Sequence, residues 1–221
     1  MRRAMWLSCL LFACGPSAPP RSAPQPAEPT LRAPDGATLD EACVTTGPEL
    51  CFDAIDNNCN GLLEEGCGVQ SGLVQISAAW SEESADVDLV VTDPAGETAK
   101  IGSPTSGGLV KDRDCPGSDR RCRGQNLENV FLEGGDVEPR RGTYTVALRL
   151  EKAGKARLPL TVRVGVCLGQ RTTGFSTTLS AQGETRSFSF DLLEKTAAPA
   201  ARSGRSKTAA LQTPRWRSDG S

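Results

Sequence analysis

The sequence predicts a mainly β protein: an antiparallel β-sandwich preceded by a small disulfide-rich, calcium-loop-like segment, with a disordered linker before them and a disordered tail after. Three observations carry this prediction. Apolar residues alternate with polar ones on short segments between Gly72 and Leu193, separated by Gly, Pro and Asp. Cysteines recur every eight residues at Cys43, Cys51, Cys59 and Cys67. The two flanks are rich in Pro, Ala and Ser or poor in apolar residues, and so cannot bury a core.

The alternation defines the strands in order. Val74, Ile76, Ala78 and Trp80 form one apolar face. Val87, Leu89 and Val91 form the next and run into the turn Asp93-Pro94-Ala95-Gly96. Tyr144, Val146, Leu148 and Leu150 follow, then Leu158 to Val166, then Phe188, Phe190 and Leu192. Period-two spacing marks strands with one face buried, and no segment after the signal has a helical period. Roughly seven strands in about 120 residues fit a two-sheet sandwich. Pro159, which lacks a ladder N–H, belongs on an edge strand or at a strand start.

The N-terminus reads as an export signal. Arg2 and Arg3 precede the uncharged run Ala4 to Ala13, which is shorter than the roughly 20 residues a bilayer span needs. Leu11-Phe12-Ala13-Cys14 resembles a lipobox, which implies cleavage before Cys14 and lipidation of its sulfur and new amino group. Multiple acyl chains on one residue anchor stably. By resemblance to sorting rules, Gly15 after the cysteine favours the outer membrane over the inner. The expected organisation is signal peptide 1–13, tether 14–40, cysteine-rich segment 41–68, β-sandwich 69–193 and tail 194–221.

Cleavage would remove two arginines from 25 basic residues and leave 27 acidic ones, a net charge of −4. No basic stripe suggests a nucleic-acid partner. There is no histidine, which removes the commonest general base and metal ligand and with it Ser-His-Asp and Cys-His catalysis. Beyond Cys9 and Cys14 seven cysteines remain, an odd number that in an oxidising compartment leaves one without a partner in the chain.

The cysteine-rich segment carries the most specific pattern. Asp56, Asn58 and Asn60 stand at alternate positions before Gly61, as in the first half of a calcium loop. The carbonyl of Leu62 and the carboxylate of Glu64 would follow at positions 7 and 9. Position 12 is Cys67 instead of a bidentate glutamate, so the loop is not a true EF-hand. The run from Cys51 to Cys67 resembles the metal-binding motif of secreted bacterial surface proteins, including MopE-type copper-associated proteins. It is also similar to the acidic calcium loops of thrombospondin type 3 repeats. That resemblance implies metal contact by Asp56, Asn58, Asn60 and Glu64, with Asp53 or Glu65 in support. Oxygen ligands, and no His or Met in the mature chain, favour calcium over copper. Read blandly, the segment is a disulfide knot whose acids are merely solvated. Its four cysteines allow three pairings, and the spacing does not choose among them. Cys115 and Cys122 are expected to close a small loop, leaving Cys167 unpaired unless it takes one of those two.

A second candidate cation site is Asp86 and Asp88 on one strand face with Asp112 and Asp114, joined by Asn126, Glu128 or Asn129. The stretch from Gly72 to Val166 resembles a secreted β-sandwich domain of YfaP-like proteins, which implies fold more than activity. No nucleophile–base pair, phosphate loop or dinucleotide fingerprint is present, so the expectation is no enzyme. The chain is expected to be a calcium- and disulfide-stabilised envelope module, held to the membrane by its lipid and contacting an envelope protein or polysaccharide. The alternative is a lipoprotein for metal sequestration or sensing.

Overall fold

The computed structural model describes residues 30–192 except 33, 34, 36, 38, 41, 42, 44, 118–121, 123, 124 and 133–137. The signal, Cys14, most of the tether and the tail lie outside the described residues. Among those described there is no helix. The strands are β1 (Thr30–Arg32), β2 (Val74–Ala79), β3 (Asp86–Thr92), β4 (Leu109–Cys115), β5 (Leu127–Leu132), β6 (Gly142–Lys152), β7 (Leu160–Leu168), β8 (Arg171–Leu179) and β9 (Thr185–Leu192). They form two antiparallel sheets, ordered β1-β9-β6-β3 and β4-β5-β2-β7-β8.

The apolar alternation explains why these segments pair face to face. Val87, Leu89 and Val91 of one sheet and Ile76, Val164 and Val166 of the other enter a single core, each almost wholly buried. Tyr144 stacks on Phe190 with ring centroids 4.9 Å apart, and Phe175 meets Phe188 edge-on across the sheets at the same separation. Such pairs add to the burial of their area. Two polar tips in this core are satisfied: the Tyr144 hydroxyl donates to the Arg140 carbonyl at 2.9 Å and the Trp80 indole N–H to Ala85 at 3.1 Å.

The chain departs from the sequence expectation in two places and meets it at Pro159. Thr30–Arg32, assigned to the tether, is a strand on β9, and Leu31, Ala37 and Leu39 pack against the core. β4, β5 and β8 lack clean alternation and were not among the expected strands. Pro159 lies just ahead of β7, at a strand start as expected, although β7 is not an edge strand.

The cysteine-rich segment is not a separate body. It lies against the outer face of the five-stranded sheet, where Ala54, Val69, Ala79 and Leu127 form a second small core. Beside that core the contact is polar. Gln75 Nε2 donates to the Leu63 carbonyl and to Asn129 Oδ1, both at 3.1 Å, and Ser77 Oγ donates to Asn129 Oδ1 at 2.7 Å. Gly165 on β7 permits the approach, because a Cβ there would stand 2.4 Å from the Ala54 carbonyl oxygen. Gly165→Val is therefore expected to destabilise the protein by about 1–3 kcal/mol through overpacking against backbone that cannot yield. Denaturant unfolding checks this, and an unchanged midpoint would show that the segment is not seated there.

Candidate metal centre

The cysteine-rich segment has little apolar surface and an expensive backbone. Phe52, Ala54, Cys59 and Glu64 all have positive φ between 56° and 69°. Each such non-glycine residue costs roughly 1–2 kcal/mol. Two cross-links and one carboxylate hold the conformation. Cys43 bonds to Cys59 and Cys51 to Cys67, so the two disulfides interleave. The fully buried Glu64 carboxylate accepts the backbone N–H groups of Phe52, Asp53 (2.9 Å) and Ala54 (2.6 Å).

The loop from Asp56 to Glu65 is organised as the spacing requires. Asp56 Oδ1 accepts the Asn60 N–H at 3.1 Å, and its Oδ2 accepts the Gly61 N–H at 2.9 Å and the Thr172 hydroxyl of β8 at 2.8 Å. Asn58 Oδ1 accepts the Asn60 N–H and Asn60 Oδ1 the Leu62 N–H. Gly61 is required twice over. Its φ is +87°, and a Cβ would stand 2.8 Å from the Gln170 carbonyl oxygen.

Glu65 closes the ring. Its Oε1 accepts from both Asn58 Nδ2 and Asn60 Nδ2 at 2.6 Å, so three side chains converge on one point beside Asp56. Its Oε2 is buried without a hydrogen-bond partner. An orphaned carboxylate oxygen among amide and carboxylate groups fits a hard cation such as calcium. Asn58 and Asn60 face Glu65 with their amide nitrogens, because their oxygens accept the N–H groups of Asn60 and Leu62. Copper fits poorly, because all four cysteines of the segment are oxidised and no thiolate remains.

Glu64 does not meet the two asparagines: its carboxylate faces the Phe52–Ala54 backbone and accepts three N–H groups there. Asp53 also turns away, with Oδ1 on the Ile55 N–H and Oδ2 on Asn57 Nδ2. Leu62, whose backbone carbonyl is the expected ligand, stands at the exposed side of the loop. Asp56, Asn58 and Asn60 stay together, and Glu65, expected only in support, is the acid that the two asparagine side chains meet.

Glu49 was missed, since nothing in its sequence context marks it. Its carboxylate accepts the N–H groups of Glu64 (2.8 Å) and Asn57 (3.0 Å), and burial, aided by Glu65 and Glu64, pushes it up from 4.5 to about 7. Burial also raises Glu64 and Asp112. These groups hold protons more tightly folded than unfolded, so their contribution is full below their unfolded values and lost as pH rises through the folded ones. Glu97 and Glu184, held low by hydrogen bonds to Ser106 and Ser180, act in the opposite sense but beneath that window. Metal-free protein should thus melt at a higher temperature at about pH 5.5 than at about pH 7.5. A flat profile in chelator would contradict it.

The second predicted cluster is only partly assembled. Asp86 and Asp88 of β3 come within 4.8 Å of Glu128 of β5. Lys111 pairs with Glu128 Oε2 at 2.8 Å and with Asp114 Oδ1 at 3.1 Å. Asp112 is elsewhere: its Oδ1 accepts from Asn129 Nδ2 at 2.7 Å and its Oδ2 from the Gln70 N–H at 3.0 Å, where the cysteine-rich segment leaves the sheet. The cause is a register shift between Lys111 and Arg113, which breaks the alternation that would put Asp112 and Asp114 on one face.

Cys115 and Cys122 are disulfide-bonded, as expected. Cys167 is fully buried with its thiol pushed up to about 11 by burial and Asp56, and it donates to the Gly61 carbonyl at 3.2 Å. Compared with family models, curated proteins and solved structures, the chain matches none.

Proposed function

We propose that this chain is a non-catalytic lipoprotein of the bacterial cell envelope, anchored through Cys14 and carrying a surface module stiffened by disulfides and calcium. The observation that carries the reading is the orphaned Glu65 Oε2 beside Asp56, Asn58 and Asn60. Calcium bound there would neutralise two carboxylates and, through Thr172, fix the loop against β8.

A groove alongside, lined by Asp40, Asp56, Gly61, Gln170 and Thr172, offers a polar surface to an envelope protein or polysaccharide. The absence of histidine and the high pKa of the one free thiol among the described residues support a non-catalytic role. The alternative is a lipoprotein for metal sequestration or sensing; Asn60 stands at the solvent edge, which leaves a bound ion open to exchange and favours sensing of these two.

Calcium titration followed by thermal melting tests the proposal. A ligand at 100-fold excess over its Kd stabilises by about 2.7 kcal/mol, and Asp56→Asn or Glu65→Gln should remove most of that increment. A melting temperature indifferent to calcium would dismiss the loop. Intact mass of the membrane-extracted protein checks the anchor: full-length chain without acyl groups would dismiss it.

A further inference from the structure

β3 and β4 are terminal strands of opposite sheets, and the segment joining them pairs with both, Thr98 with Thr92 and Ile101 with Lys111. Beside it Glu128 reaches from β5 to β3. Its Oε2 accepts the Leu89 N–H of β3 and the Lys111 ammonium, leaving Oε1 buried without a partner in a side chain that is wholly enclosed. Asp86 Oδ1 is likewise buried without a partner.

We propose that Asp86, Asp88 and Glu128 bind a divalent cation of the calcium class that bridges the two sheets, from terminal strand β3 to β5. One oxygen from each lies within 4.8 Å of the others. Oxygens around one calcium at 2.3–2.6 Å lie at most about 5 Å apart, so three ligands are already placed. Asp114 adds a fourth carboxylate, against the single buried ammonium of Lys111, which is already committed to Asp114 Oδ1 and Glu128 Oε2. Lys152 and Arg149 approach from β6, but Glu151 accompanies them. A divalent ion supplies both the missing charge and a partner for the orphaned oxygens, and with only oxygen donors it would be a hard cation. The site shares no ligand with the Asp56–Glu65 loop and does not depend on it.

Trp80 gives a local readout, since its indole donates to the carbonyl of Ala85, the residue before Asp86. Terbium(III), which replaces calcium at oxygen sites, luminesces when excited through a nearby indole. The full protein should show terbium emission that excess calcium quenches. Emission should be lost in Asp86→Asn/Asp88→Asn and in Trp80→Phe, and kept in Asp56→Asn. Native mass spectra should show the double variant one calcium short and Trp80→Phe with the full number. Circular dichroism confirms folding, and Asp88→Asn alone replaces the double variant if that one does not fold. Absence of emission in the unaltered protein, or emission and calcium count unchanged by the aspartate substitutions, would overturn the proposal. Loss of calcium only in Asp56→Asn would do the same while leaving the loop reading standing.

Discussion

Glu64→Ala is expected to lower stability by about 3–6 kcal/mol, the lower part of what three stranded donors at roughly 1–3 kcal/mol each would cost, because two of the three are only part-buried. The donors are the N–H groups of Phe52, Asp53 and Ala54, on a stretch where two residues also have left-handed φ. Glu64 and the Ala54 donor are fully buried, while the Phe52 and Asp53 donors are part-buried. Glu64→Gln should cost less, since one oxygen remains to accept. Denaturant unfolding reports the loss, and hydrogen exchange at residues 52–54 should rise far more than in the core strands. An alanine variant within about 0.5 kcal/mol of the parent would mean the carboxylate is not the keystone described here.

Cys51→Ser/Cys67→Ser is expected to cost about 3 kcal/mol, the chain-entropy value for a loop near its length. The sequence separation is 16 for this disulfide and for Cys43–Cys59. Because Cys51 lies inside the 43–59 span and Cys59 inside the 51–67 span, neither half of the segment is closed by one bond alone. Losing one should loosen both halves. Peptide mapping of unreduced protein checks the pairing, and fragments joining Cys43 to Cys51 would refute it. In the same map Cys167 should alkylate only after denaturation.

Strands were legible where polar and apolar side chains alternate, even in β2, whose polar Gln75 and Ser77 are buried on its outer face. β3, β6 and β9 alternate in sequence because they alternate in burial. β5 is buried at all six positions, since the cysteine-rich segment covers its outer face, and so it carries no period. β4 hides its register shift among charged residues that look like a solvated loop. β1 is too short for side-chain alternation to register; backbone pairing to β9 defines it.

At the candidate site, the Asp56, Asn58 and Asn60 spacing was sufficient, because alternate positions before a glycine turn converge by local geometry alone. The choice between Glu64 and Glu65 was not legible. Adjacent carboxylates look alike in sequence, and the positive φ of Glu64 belongs to a fold in which its side chain turns inward while Glu65 faces Asn58 and Asn60. Glu128 is similar: an acid in an apolar run marks itself as unusual, but only the approach of β3 shows what it faces.

The polar layer of Gln75, Ser77 and Asn129 bears on what happens if reduction ever frees the cysteine-rich segment. Much of the uncovered surface would be amides and hydroxyls that water can solvate, with Phe131, Ala79 and Leu127 its apolar part. The sandwich would keep its own core and stay in solution, so a reductant could act as a switch on the outer layer without condemning the rest of the molecule to aggregation.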